Sequence, residues 1–248
     1  MMESIVYLTE SIFLKDEITY YKENDKIKKI KANNWHHILS DCGWSKIHKR
    51  WITLLNKESI IKQKNSLYGI LDCESDGNCF YHCIANAFNE KELYSPENYY
   101  DQNDIRNILS ESISEEKFKE LIEYYKIMKD ADDFEEEWDP YEIETLEDFQ
   151  EELTKSGHNY WGDWFLLDIL CKELKLNIFI LNTDTINNQY NLYNTMIEYK
   201  SEYNSIFLVY ENQSHFQLIG YFNGDKIISY FTEKQIPEAL KKICKIIR

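Results

Sequence analysis

Apolar and polar positions along the chain divide it into a helix-rich first part and a strand-rich last part. Phe80, Ile84, Ala87 and Phe88 recur at helical spacing after the turn residues Ser75-Asp76-Gly77-Asn78, so a helix is predicted to begin at Cys79. Asn103–Ser110, Ser114–Lys129 and Leu146–Leu153 read as further helices. Phe165, Leu166, Ile169, Leu170 and Leu174 give another helix a broad apolar face. Strands are predicted at Asn177–Leu181, weakly at Gln189–Tyr193, then at Ile206–Tyr210, His215–Phe222 and Lys226–Phe231, with Asn223-Gly224 as a hairpin signal. Thr232 is placed to cap a closing helix over Glu233–Ile247, with Pro237 near its start. Residues 1–65 read as an accessory, mainly helical extension: a short strand at Ile5–Leu8, a polar Lys-rich stretch, then two helical pieces. In the second piece Trp44, Ile47, Trp51, Leu54 and Leu55 share one stripe. That stripe either packs on the main body or offers an accessory surface to a partner. The order of elements predicts an α+β protein.

Charge narrows the partners. The formal net charge is −16 and the sequence pI about 4.8. Nucleic acid and anionic membranes are poor partners for such a field, and a basic protein surface is a better one. Asp130–Asp148 concentrates the acid, interleaved with Phe134, Trp138 and Tyr141. A solvated face is the ordinary reading of such a run, and a docking surface for a basic partner is the other. The cysteines, at 42, 73, 79, 83, 171 and 244, make no dense framework, which suits a reducing compartment. No stretch approaches a membrane span, and Glu3 stands where a signal peptide would be positive. The expectation is a soluble, monomeric, cytoplasmic protein needing no cofactor.

The candidate chemistry is nucleophilic. A thiol at a helix N-terminus faces unpaired N–H groups and the positive end of the helix dipole, and both favour thiolate. The same N–H groups can hold the oxyanion formed when a carbonyl is attacked. Cys79 has that position. Its base is expected to be His215, which opens a strand just after a turn. Gln217 lies two residues on and so on the same strand face, where its carbonyl can accept the Nδ1–H and leave Nε2 for Cys79. His82 sits on the Cys79 helix, and His36, His37, His48 and His158 lie elsewhere. A zinc site from Cys73, Cys79, His82 and Cys83 is a competing reading, but it lacks the paired Cys-x-x-Cys halves of structural zinc modules. No metal is therefore expected.

Asp76-Gly77-Asn78-Cys79-Phe80-Tyr81, then Trp161-Gly162 leading a helix into Asn177–Leu181, then His215-Phe216 on a late strand, resemble the ovarian tumour (OTU) cysteine proteases. The resemblance spans roughly residues 66–232 and leaves 233–248 as a helix packed on that domain. It implies a papain-like fold with a central, mostly antiparallel sheet flanked by helices. It also implies cleavage of ubiquitin, ubiquitin chains or related modifiers from lysine after a Gly-Gly tail. By resemblance Cys79 is the nucleophile, His215 the base and Asp76 the holder of the cysteine loop. N–H groups near Asp76, Gly77, Asn78 and Cys79 form the oxyanion hole, and Trp161-Gly162 line the channel for the tail. Family members commonly carry Asp or Asn two residues after the histidine. Here Gln217 stands there, with Asn212 or Asp76 as substitutes for the third group. A ubiquitin-binding module that keeps the fold without turnover is the alternative that Gln217 leaves standing. The Ile/Lys/Asn/Tyr-rich residues 1–65 resemble OTU proteins of large DNA viruses, which would place the protein in a host cytoplasm.

Overall fold

The computed structural model describes residues 5–59, 66–74, 76–91, 98–134, 137–157, 164–193, 197–212 and 214–246. A four-stranded antiparallel meander opens the chain: β1 (Ile5–Tyr7), β2 (Ile12–Lys15), β3 (Ile18–Glu23) and β4 (Lys26–Lys29). The extension is therefore strand-rich where helices are expected. Two tight turns make it so: Asp16-Glu17 between Lys15 and Ile18, and Asn24-Asp25 between Glu23 and Lys26, all four with positive φ. Short polar residues tolerate that left-handed backbone, so the hairpins form without the glycine that usually marks them. After the short helix α1 (Trp35–Ile38), Trp44–Lys46 forms β5 and Lys49–Glu58 forms α2. Trp44 thus leaves the predicted helical stripe for a strand, yet Trp44, Ile47, Trp51 and Leu55 are all buried, so the stripe packs on the body.

The central sheet runs β5–β6–β10–β9–β7–β8, where β6 is Tyr68–Asp72, β7 Leu176–Asp184, β8 Gln189–Leu192, β9 Asn204–Glu211 and β10 His215–Phe222. Only β7–β9 pairs in parallel. A two-residue strand β11 (Ile227–Ile228) returns on β10 through the Asn223–Lys226 loop, in which the Asn223 carbonyl oxygen Oδ1 accepts the N–H of Asp225 and of Lys226. One face carries α3 (Cys79–Lys91), α4 (Gln102–Glu111), α5 (Glu115–Asp130), α6 (Leu146–Thr154) and α7 (Trp164–Glu173), in one apolar cluster with Phe216 and Leu218. The other face holds Ile219, Val209 and Phe207 against α2 and the closing helix α8 (Glu238–Ile243). That helix is shorter than expected because Pro237 is its N-cap. The residue before a proline is driven out of the helical region, so the helix cannot extend back through it. In the acidic stretch Trp138 is buried, edge-on to Tyr125 and Phe134. Trp138 therefore anchors the α5–α6 connection, while Asp132, Asp133, Glu137, Glu142, Glu144, Glu147 and Asp148 are exposed. No helix among the described residues is long and apolar enough to cross a membrane.

Candidate active site

The cysteine loop leaves the sheet at the end of β6 and returns as α3. Gly77 takes a left-handed φ of +81°, a conformation that costs a side chain energy. The Asp76 carboxylate folds the loop back on itself, accepting the Asn78 N–H at 2.9 Å and the Asn78 Nδ2–H at 3.0 Å. The Asn78 carbonyl then accepts the His82 N–H at 2.9 Å, which starts the helix and sets Cys79 in its first turn. Phe80 meets Phe216 edge-on, and Phe216 stacks on Tyr210, pinning this helix end to β10.

His215 arrives from the neighbouring strand. Its ring hydrogen-bonds the Cys79 thiol, and the Phe216 N–H points at Cys79 Sγ from 3.4 Å. His215 Nε2 lies 3.0 Å from Asp72 Oδ1. The bond to Cys79 is the largest influence holding imidazolium, the Asp72 carboxylate adds to it, and together they overcome burial and raise the His215 pKa to about 9. The geometry corrects the expected role of Gln217. Its amide accepts nothing from His215; Nε2 donates to Asp72 Oδ1 at 2.8 Å, and that bond is the main reason the Asp72 carboxyl lies below its ordinary range. The physical reason is register: β10 pairs with β6 so that Gln217 stands directly opposite Asp72. A carboxylate is the stronger acceptor for an imidazolium, so Nε2 turns to Asp72 rather than to the thiol.

The other candidates for the third group are occupied elsewhere. Asn212 Oδ1 accepts the Thr185 N–H and hydroxyl, and Asp76 contacts Asn78 and His82. Asp72 lies far from His215 in sequence. Its one signal was a carboxylate ending the apolar run Leu67-Tyr68-Gly69-Ile70-Leu71, just before the cysteine loop. The expected oxyanion donors narrow as well. Asn78 gives its N–H to Asp76, whereas the Cys79 N–H has no acceptor among the described residues. Trp161, Gly162 and His158 lie outside the described residues. The Gly157 N–H, which precedes them, reaches Asn78 Oδ1 at 3.3 Å and ties that segment to the cysteine loop.

Of the other cysteines four are poor thiolates, whereas the Cys83 thiol beside Cys73 holds the Cys73 thiol below its ordinary range. Burial pushes Cys42 up to about 11 and Cys171 up to about 12, and it raises Cys83 and Cys244 well above the usual thiol range. Cys83 Sγ sits 3.4 Å from Cys73 Sγ beneath the site, and both are free. Among the described residues the group with metal-ligand spacing is Glu74, Asp76 and His82, whose ligand atoms lie within 4.8 Å of one another. The cysteines take no part in it, and Asp76 there is already held by Asn78.

A cysteine, a histidine and a carboxylate meeting at a helix start is the layout of a thiol hydrolase. The model of the OTU-like cysteine protease family matches residues 74–218, more than half of the chain. The chain belongs to that family. The match starts just after Asp72, so the strand supplying that carboxylate lies outside it. Among solved structures the chain is similar to the Hazara virus OTU bound to ubiquitin, at 18% identity over 65% of this chain and 82% of that one, with a TM-score of 0.38. It is also similar to an OTU deubiquitinase from Wolbachia pipientis wMel bound to ubiquitin, at 14% identity over 64% and 99%, with a TM-score of 0.38. The viral OTU domain protease from Dera Ghazi Khan virus is a third, at 16% identity over 64% and 85%, with a TM-score of 0.36. No curated protein sequence matches the chain.

Proposed function

We propose that this OTU-family chain is a deubiquitinating cysteine protease, hydrolysing the isopeptide bond after the Gly-Gly tail of ubiquitin or a ubiquitin-like modifier. The observation that carries the reading is the contact of His215 with both Cys79 and Asp72 in a chain of this family. Cys79 passes its proton to His215, and the thiolate–imidazolium pair is stabilised by the Asp72 carboxylate and the Phe216 N–H. The thiolate attacks the terminal glycine carbonyl, and the oxyanion forms where the Cys79 N–H and the α3 N-terminus point. His215 then protonates the departing lysine amine as the C–N bond breaks, leaving a thioester on Cys79. Water, deprotonated by the now neutral His215, attacks the thioester, and the thiolate leaves as the tail carboxylate forms. The partner is ubiquitin or a ubiquitin chain.

A neutral Gln217 as the third group favoured a turnover-deficient binding module; the Asp72 carboxylate beside His215 supports turnover instead. The test is cleavage of ubiquitin dimers by purified protein. Wild type releases monomeric ubiquitin and Cys79→Ala binds ubiquitin without releasing it. A wild type that binds and releases nothing would establish the binding module.

A further inference from the structure

Arg106 is a cation with no exposed surface, and it does not touch the thiol, the histidine or the carboxylate. It comes from the middle of α4, a helix whose capping box at Asp101 and Asp104 fixes its start. Its guanidinium lies face-on to the Tyr81 ring of α3, 4.1 Å from the centroid. From there its fork spans the cysteine loop. Nε donates to Asn78 Oδ1 at 2.9 Å, one terminal nitrogen to the Gly77 carbonyl at 3.4 Å, and the other to the Leu153 carbonyl at the end of α6 at 3.1 Å. Burying a guanidinium is expensive unless such acceptors meet it, so each bond is costly to lose.

Two of those bonds fix the loop that carries the oxyanion donor. In the trans peptide between Gly77 and Asn78 the carbonyl points to Arg106 and the N–H points the other way, to Asp76 Oδ1. The peptide plane is thus clamped between a cation and an anion. The Asn78 side chain is clamped as well, by Arg106 and by the Gly157 N–H. With Asn78 immobilised and its carbonyl committed to His82, the Cys79 N–H has one direction left, outward from the helix start. We propose that Arg106 is a positioning residue for the cysteine loop: through Gly77 and Asn78 it aims the Cys79 N–H at the oxyanion of the acyl-transfer step. Lysine cannot replace it, because a single ammonium cannot reach three acceptors in the geometry of the guanidinium fork.

The inference rests on the family's acyl-transfer chemistry at Cys79, and its test does not require ubiquitin. Two small reagents separate the roles. Iodoacetamide alkylates a thiolate by displacement and forms no oxyanion, whereas p-nitrophenyl acetate acylates the same sulfur through one. Rates are taken on the whole 248-residue chain, with Cys79→Ala subtracted as the blank. In Arg106→Met and Arg106→Lys we expect acylation to slow by about 10- to 100-fold, the usual cost of a reacting group misplaced by about an ångström. Alkylation should stay within about twofold of wild type in the same samples, since the Cys79–His215 pair is untouched. Asn78→Ala should reproduce the selective loss, and combining it with Arg106→Met should add less than the sum, because both remove the Arg106–Asn78 bond they share. Acylation and alkylation falling together in Arg106→Lys would make the arginine a general support of the fold. No change in acylation would remove it from the site. Ubiquitin that wild type binds without cleaving would sink the proposed function and leave this comparison readable.

Discussion

At the scale of residues the carboxylate beside His215 is that of Asp72. Its side chain is about two-thirds exposed while that of His215 is 17% exposed, so the carboxylate acts partly through water and its field is weakened. Asp72→Asn should therefore lower kcat by about tenfold, well short of the ~10⁴-fold loss when a buried triad carboxylate of a serine protease is neutralised. Gln217→Ala should cost only a few-fold, because Gln217 orients Asp72 and not the imidazole. The reverse order of these two losses would return Gln217 to the role the sequence suggests. The pH profile gives an independent reading. In the proposed reaction the protonated His215 ring serves both as partner of the thiolate and as acid for the leaving amine, so activity should fall as pH rises through about 9. In Asp72→Asn that alkaline limb should move down, toward the usual histidine value. The folded state has the raised pKa, so the stability this pair contributes is complete below pH 6.5 and lost as pH rises through about 9. A thermal-melt series across that window checks it.

At the scale of elements the site depends on β6 and β10 lying close and in one register, and two glycines permit the packing above them. Gly69 and Gly220 face each other across the pair. A Cβ on Gly220 would come within 2.5 Å of the Trp44 ring, and one on Gly69 within 2.6 Å of the Trp35 ring. Both tryptophans come from the N-terminal extension, and Trp35 also stacks on Phe222 and donates to the Ser66 carbonyl. Gly220→Ala should destabilise the fold by about 1–3 kcal/mol, the usual cost of overpacking, and denaturant unfolding measures it. Activity should drop with it, since the displaced strands carry Asp72, His215 and Gln217. A neutral Gly220→Ala would mean the extension rides loosely on the sheet. The helix at Cys79 and the strand at His215 were legible because turn residues and apolar spacing announce them locally. Asp72 was not, because only the antiparallel register of two distant strands brings it to His215. The meander was hidden because lysines hold many of its outward positions and its turns use Asp16-Glu17 and Asn24-Asp25 instead of glycine.

At the scale of the whole molecule the charge is divided. Residues 1–65 carry 12 Lys and Arg against 8 Asp and Glu, whereas the remainder carries 16 against 36. In the acidic stretch Asp132, Asp133, Glu137, Glu142, Glu144, Glu147 and Asp148 are exposed, held out by the buried Trp138. If that face meets a basic substrate surface, the attraction acts through association, and salt screens it over ~8–10 Å. KM should rise with ionic strength while kcat changes little, and replacing Glu142, Glu144 and Glu147 by Gln should flatten that dependence. A KM indifferent to both would make the stretch a solvated face only.

All three scales converge on one sulfur, and trapping it is the most direct test. Ubiquitin carrying a C-terminal electrophile in place of its last carboxylate should form a covalent adduct with the purified chain, and peptide mapping should put the bond on Cys79. His215→Ala should slow the labelling severely and Cys79→Ala should abolish it, with Cys73→Ala and Cys83→Ala still labelled. An adduct that persists in Cys79→Ala, or ubiquitin that binds wild type without ever becoming attached, would contradict the assignment.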